Sequence, residues 1–215
     1  MLSTTMYGKT ALAVACRFTN SKSRFAVVRE LLGGGASATV ADKAGALALH
    51  EAAWKGHTDV FALLLSAAPT TISVCNWQGL SALGCATLND HTEAVSFLLS
   101  AGASDKAIWL EKGLSPLNMA VQRGDETMIR MFLDRKGIDA AGGLGVIPRA
   151  MFNALQFNNI KALQMPFNVE GEQKQKDWAN AAVNSVTMLH SATMHRSFAG
   201  LQMLLSAGLI STPKP

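Results

Sequence analysis

A short phrase built around a leucine recurs along this chain at nearly constant spacing. In each copy a leucine stands at the third of six positions and an alanine at the sixth; the copies are Thr10–Ala15, Leu47–Ala52, Ser81–Ala86, Ser115–Ala120 and Thr187–Ala192. The central leucines of the first four copies are separated by 37, 34 and 34 positions. The next 72 positions lead to the last copy and leave room for one degenerate copy near Met151. A period in this range predicts stacked supersecondary units rather than one globular core.

The second copy shows the layout of one unit most completely. Asp42–Gly45 has the composition of a tight turn, and the alanine-rich Ala48–Lys55 is long enough for about two helical turns. Gly56 follows, where a glycine can take the left-handed conformation that ends a helix. Thr58–Ala67 then carries apolar residues at helical spacing. Each unit is therefore predicted to contain a turn, a short helix, a glycine break, a second helix and a loop.

The same register predicts which apolar side chains form the core. Phenylalanines and paired leucines recur at matching places in successive copies, so we expect them to be buried; the leucine pairs are Leu31–Leu32, Leu64–Leu65 and Leu98–Leu99. The ten methionines are expected to fill gaps between them.

These residues resemble the ankyrin repeat, a unit of ~33 residues that opens with Thr-Pro-Leu-His-x-Ala. The second copy approaches the pattern with Gly45, Leu49-His50-Glu51-Ala52 and Gly56-His57, and the fourth copy supplies Ser115-Pro116-Leu117. The resemblance implies an all-α solenoid of stacked antiparallel helix pairs with projecting turns or hairpins, in one domain over residues 1–212. The implied repeats, the fifth of them degenerate, lie at approximately 5–41, 42–75, 76–109, 110–143, 144–181 and 182–212.

Several segments depart from the family pattern. Asn20–Ser23 is predicted to lengthen the link between the two helices of the first copy by about four residues. Pro166 stands where the family has a core leucine, so the second helix of the fifth copy is expected to end near Met165. The polar tract 167–177 is predicted to be a surface excursion. The last helix lacks the polar outer face of a terminal repeat, which favours a segment of a longer array.

Composition narrows the classes of function. Charged residues make up 16% of the chain, below the usual quarter, and the net charge of +4 is spread along the sequence. This pattern argues against nucleic-acid binding, which favours a clustered basic face. No apolar run reaches the length of a membrane span. We therefore expect an intracellular protein in the cytoplasm, with the nucleus as the alternative location.

Two patterns that could carry chemistry have simpler explanations. Gly8-Lys9-Thr10 ends like a phosphate-binding loop, but Ser3 stands where that motif requires a glycine, and no strand precedes it. Cys16 and Cys85 occupy sites for small apolar residues without a predicted basic partner, so we expect inert, buried thiols. The three cysteines have no CxxC spacing, and neither a metal site nor a cofactor is predicted.

The histidines also have a structural explanation. His50 and His190 occupy one slot of the repeat, in which the family's histidine typically hydrogen-bonds between neighbouring turns. His57 and His91 follow the helix breaks, and a similar role is expected for them. A catalytic role needs a second titratable group aimed at the ring, which the register does not supply. The chain is accordingly predicted not to be an enzyme.

The tryptophans are the candidates for binding. In the family's register Trp54 and Trp77 lie on the concave, solvent-facing surface, where large aromatics frequently anchor a partner. The alternative is that the two rings pack on each other or on a neighbouring repeat. The predicted partner-binding residues, from repeats two to four, are Lys43, Trp54, Lys55, Trp77, Gln78, Leu88, Asn89, Glu111, Lys112, Gln122 and Arg123.

These observations predict a non-enzymatic module or scaffold that binds another protein through its concave groove and turn tips. Nucleic acid, membrane and small-molecule partners are not expected. The alternative is a regulatory or substrate-recruiting fragment of a larger enzyme, such as a ubiquitin ligase or a kinase. A reading frame that continues past Pro215 would favour this alternative.

Overall fold

The computed structural model describes residues 8–18, 20–104, 114–134, 146–167, 177, 180, 182–183 and 186–206. The chain divides into two compact units, Met1–Pro116 and Leu117–Pro215. Its α-helices within the described ranges are α1 Ala11–Ala15, α2 Ser21–Gly33, α3 Ala48–Trp54, α4 Phe61–Ala67, α5 Ala82–Leu88, α6 Thr92–Ser100, α7 Pro116–Arg123, α8 Glu126–Leu133, α9 Val146–Gln156, α10 Ile160–Phe167, α11 Met188–Met194 and α12 Phe198–Ser206. The fold is that of an all-α repeat solenoid, as the sequence predicts.

Short elements join some of these helices. Thr58–Val60 forms a turn of 3-10 helix that leads into α4, and Pro69–Ser73 forms another after it. Two strands, β1 Ala182–Val183 and β2 Val186–Thr187, pair antiparallel directly before α11. The boundaries proposed above for the six repeats stay predictions.

The recurring phrase marks helix starts for a local reason. Thr10, Ser81 and Thr187 stand immediately before α1, α5 and α11, and each hydroxyl oxygen accepts a backbone N–H of the first turn. Such a bond satisfies a donor that the helix itself leaves without a partner. At α3 the cap residue is Leu47, and its N–H donates instead to Nδ1 of His50 at 3.1 Å. The repeated motif therefore sets where the first helix of a pair begins.

In the first unit the first helices of successive pairs stack on one another. The α3 helix packs against both α1 and α5, while α2, α4 and α6 pack against their own partners α1, α3 and α5. In the second unit α9 packs against α10 and α11, and α11 packs against α12. Each pair thus buries apolar surface against its neighbours, which is how repeat proteins are stabilised.

The core prediction is confirmed in part. Leu64 and Leu98 are fully buried and Leu99 is nearly so, whereas Leu31, Leu32 and Leu65 are only half-buried. The phenylalanine prediction was too broad as well. The rings of Phe61 and Phe132 are fully buried, whereas those of four others are exposed: Phe18, Phe25, Phe157 and Phe198. Three of the exposed rings lie at the ends of helices, after α1, after α9 and at the start of α12, where the repeat register does not determine burial.

Three local expectations have different outcomes. Five residues separate α1 from α2, against three between α5 and α6, so the link is longer by about two residues rather than the predicted four, and Asn20 caps the 13-residue α2. The α10 helix continues through Pro166 to Phe167, two residues beyond the predicted end. Most of the polar tract 167–177 lies outside the described residues.

Candidate functional site

Two turns of the first unit have the same hydrogen-bonded structure. The side-chain oxygen of Asp42 accepts the N–H groups of Ala44 and Ala46, at 2.8 and 2.9 Å. The side-chain oxygen of Asn76 accepts two N–H groups of its own turn in the same way, both at 3.0 Å. Asp and Asn favour such turns because their short side chains reach the backbone two residues on. These hydrogen bonds fix the backbone of both turns and so position the residues at their tips.

Trp77 lies at the tip of the second of these turns. Its N–H donates to the carbonyl of Ala44 at 3.0 Å, which ties one turn to the preceding one. Its indole lies over Gly45, so closely that a Cβ there would be 2.6 Å from Cδ1 of the ring. Gly45 also has a φ of +74°, a conformation that glycine adopts readily. The indole nevertheless remains 73% exposed, so the packing on the preceding turn does not bury it.

Trp54 ends the α3 helix and is 40% exposed. Its carbonyl accepts a hydrogen bond from Nε2 of His91 at 3.0 Å. The same bond occurs one pair earlier, where Nδ1 of His57 donates to the carbonyl of Cys16 at 2.9 Å. Both histidines therefore hold the end of the preceding first helix, and the predicted structural role is confirmed for them.

A pocket of about 390 Å³ opens between these turns and the ends of the first helices. It brings together three of the predicted binding residues, Lys43, Trp54 and Gln78. Its other lining residues are Lys9, Arg17, Asp42, Ala44, Ala46, His50, Glu51, Asn76 and Cys85. The pocket therefore contains groups from the first three helix pairs.

The pocket floor holds a buried carboxylate with two cationic partners. Glu51 lies on α3 and is 7% exposed. Its Oε1 accepts a hydrogen bond from Nζ of Lys9, and its Oε2 accepts one from Nη1 of Arg17 at 2.8 Å. Lys9 also lies 3.8 Å from the carboxylate of Asp42. Because a buried charge is costly without partners, Glu51 ties the two ends of α1 to α3.

The repeat register does not indicate this cluster. Glu51 falls within the recurring phrase, and Lys9 falls within the segment that ends like a phosphate-binding loop. A usable signal was present, since Glu51 is the one charged side chain in a helix that otherwise holds Ala, Leu, His and Trp. A carboxylate on such a helix requires cations, and Arg17 and Lys9 stand 34 and 42 positions earlier, about one repeat away.

The remaining predicted residues are more dispersed. Lys55 is exposed beside Trp54, and Leu88 is half-buried at the end of α5. The side-chain amide of Asn89 donates to the carbonyl of Cys85 at 2.9 Å, so it caps its own helix. Gln122 and Arg123 are exposed at the end of α7 and belong to the second unit. Glu111 and Lys112 lie outside the described residues.

The side chains of His50 and His190 form hydrogen bonds within the fold. Nδ1 of His50 accepts the N–H of Leu47, so its Nε2 carries the proton and donates to the carbonyls of Val74 and Leu80, both at 3.1 Å. Burial lowers the pKa of His50. The ring thus bridges two repeats in its neutral form, as predicted. His190 differs, because its Nδ1 bonds the hydroxyl of Thr187 within its own repeat, at 2.8 Å.

Neither nucleophilic nor phosphate-binding chemistry is supported here. Burial raises the pKa of both Cys16 and Cys85 to about 12, so these thiols stay protonated at neutral pH. The hydroxyl of Thr10 caps α1 and Lys9 pairs with Glu51, which leaves no phosphate cradle at this segment. Within the described ranges there is no cluster of three His, Cys, Asp or Glu residues that could hold a metal ion. Among the described helices, none combines the length and the apolar character that crossing a membrane requires.

Residues 2–76 match a family model described as "Ankyrin repeats (3 copies)". A comparison with curated proteins finds no match. The matched segment contains α1 to α4, the turn at Asp42 and the His50–Val74 hydrogen bond, and the same layout recurs in the later helix pairs. Residues 2–76 of this chain are therefore similar to ankyrin repeats.

Proposed function

We propose that the first unit binds another protein through its turn tips and the ends of its first helices. Ankyrin repeats generally act as protein–protein interaction modules and are typically not catalytic. The observation that carries the proposal is the position of Trp77, whose backbone is held by the preceding turn while 73% of its side chain stays exposed. The proposed surface comprises Trp54, Trp77, Lys43, Lys55 and Gln78, with Leu88 and Asn89 at its edge.

The chemistry of this surface favours a polypeptide partner. An exposed indole offers a large rigid apolar area, which is why tryptophan is enriched among residues that dominate binding energy. The pocket beside Trp54 is lined by amides and by charges of both signs, a composition typical of the polar rim of a protein interface. Trp54 and Trp77 are accordingly assigned as the anchors, and the polar residues determine which partner is accepted.

The experiment compares the intact chain with the Trp54→Ala/Trp77→Ala variant in affinity capture from a native lysate. Because both rings are exposed, the variant is expected to melt within about 2 °C of the parent chain, since surface substitutions change stability by roughly half a kcal/mol or less. Proteins captured by the parent chain should be lost from the variant. Phe198→Ala is the matched control, because that ring is 76% exposed but lies in the second unit.

Two results would contradict the proposal. If the double variant unfolds at the growth temperature, the rings belong to the core of the unit. If the variant retains the captured proteins while Phe198→Ala loses them, the binding surface lies in the second unit.

A further inference from the structure

We infer that the pocket beside Trp54 receives an acidic side chain, an aspartate or a glutamate, from the partner polypeptide. This inference rests on the proposed function and specifies the chemistry of the partner at that surface.

The negatively charged side chains that line the pocket are more deeply buried than the positively charged ones. Three lining residues are cationic, Lys9, Arg17 and Lys43, and two are anionic, Asp42 and Glu51, so the excess is one positive charge. The anionic side chains are the more deeply buried, at 6% and 9% exposure for Asp42 and Glu51. The side chain of Arg17 is 42% exposed. An incoming group therefore meets cations before it can meet the carboxylates.

The acceptor oxygens of the pocket are also engaged within the chain. Both oxygens of Glu51 accept hydrogen bonds from cationic side chains. The side-chain oxygens of Asp42 and Asn76 each accept two backbone N–H groups of their own turns. The carbonyls of Ala44 and Ala46 accept backbone N–H groups as well, at 3.0 and 2.9 Å. A basic side chain from a partner would find few acceptors here.

The groups that can serve a ligand are mainly donors. A guanidinium has five N–H groups, and the structure records one bond for Arg17, to Glu51. The indole N–H of Trp54 is a donor that cannot accept, and the amide of Gln78 can do both. Lys43 adds a positive charge to the lining. Donors with an excess positive charge complement a group that only accepts and carries a negative charge.

The magnitude of the charge and the volume select a carboxylate among anions. One carboxylate balances the single excess charge, whereas a phosphate monoester carries nearly two negative charges at neutral pH. The volume of about 390 Å³ lies in the range of pockets that accept small ligands, so an acidic side chain can enter.

The test starts from a displayed library of random linear peptides selected on the intact chain. Peptides that require Trp54 and Trp77 are expected to share one acidic position. In anisotropy titrations, replacing that residue by its amide should weaken binding on the order of tenfold, and Lys43→Glu in the chain should do the same. A peptide with lysine at that position should recover affinity for the Lys43→Glu chain. Lys22→Glu is the matched control, since Lys22 on α2 is also exposed but belongs neither to the pocket nor to the proposed surface.

The outcomes separate this inference from the proposed function. Peptides that depend on the two tryptophans but have no acidic position, or a basic one, overturn the inference and leave the proposed function standing. A phosphoserine peptide that binds more than about tenfold more tightly than its aspartate form assigns the pocket to phosphate and also overturns it. Equal losses for Lys43→Glu and Lys22→Glu would show a general charge effect and overturn it too. A selection that yields no binding peptide contradicts both proposals. Melting curves of the Lys43→Glu and Lys22→Glu chains establish that both are folded.

Discussion

Glu51 shows how one side chain can connect two repeats. It lies on a helix of small and apolar residues, and its carboxylate is desolvated. Lys9 precedes α1 and Arg17 follows it, so the two cations that neutralise Glu51 hold both ends of that helix. Arg24 similarly joins α2 to the 3-10 turn Thr58–Val60. Nε of this buried guanidinium donates to both carboxylate oxygens of Asp59, at 3.0 and 3.1 Å.

Glu51→Gln is predicted to lower the free energy of unfolding by about 2–3 kcal/mol, because two cationic groups then lose their anion in a desolvated site. Urea unfolding of the isolated chain measures this change. Glu30→Gln is the control; its side chain is 79% exposed and a change below about 0.5 kcal/mol is expected. Equal effects of the two substitutions would show that the ion pairs of Glu51 do not stabilise the fold.

His50 and His57 predict a pH dependence of stability. Burial lowers the pKa of both rings; Asp42 and Glu51 lie near His50 and oppose the shift, while Arg24, Asp59 and His91 lie near His57 with effects of either sign. Below the ordinary pKa of about 6.5 the unfolded chain therefore binds more protons than the folded chain. The contribution of these two neutral rings to the free energy of unfolding is therefore expected to be complete above pH 6.5. It should decrease as the pH falls below that value.

Urea midpoints at pH 7.5 and pH 5.5 measure this effect. The matched variant is His50→Asn/His57→Asn, because later repeats have asparagine at the equivalent positions. Asn118 corresponds to His50, and Asn159 corresponds to His57. Asn159 donates from its amide to the carbonyl of Val121 at 3.2 Å, as His57 does to Cys16. The variant should lose most of the difference between the two midpoints. A parent chain with the same midpoint at both pH values would refute the assignment.

At the scale of the elements, the helix pair is the unit that the sequence predicts best. The apolar spacing in Thr58–Ala67 and the glycine at position 56 predict the break and the second helix because both are local features of the backbone. The length of α2 was not predictable in this way, since it depends on the cap that Asn20 supplies. Long-range pairing could not be read from one repeat either, because the partners of Glu51 stand in the preceding copy.

Leu98→Ala tests the assignment of the helix pairs. Leu98 is fully buried on α6, so the substitution is expected to leave a cavity and to cost about 2–5 kcal/mol of unfolding free energy. Leu205→Ala removes the same atoms from a side chain that is 43% exposed, and its cost should be below about 1.5 kcal/mol. Denaturant titration of both variants gives the comparison. A loss under half a kcal/mol for Leu98→Ala would mean that α6 does not face the core.

At the scale of the whole molecule, each unit is stabilised by contacts between neighbouring helix pairs. The sequence predicts this architecture and puts Lys43, Trp54 and Gln78 on one surface, because all three follow the repeat register; in the structure all three line one pocket. The register does not predict the pocket floor, because the cations that neutralise Glu51 stand about one repeat earlier in the chain. The charge of Glu51 on an otherwise uncharged helix indicates that such partners are needed, and the structure identifies them.

Amide hydrogen exchange of the intact chain, with and without a saturating peptide from the selection described above, tests the central claim most directly. Binding through the turn tips and first-helix ends predicts slower exchange at residues 42–46, 54–57 and 76–80, with the second helices of the first unit unchanged. Protection confined to residues 58–73, or to the second unit from residue 117 onward, would contradict the account.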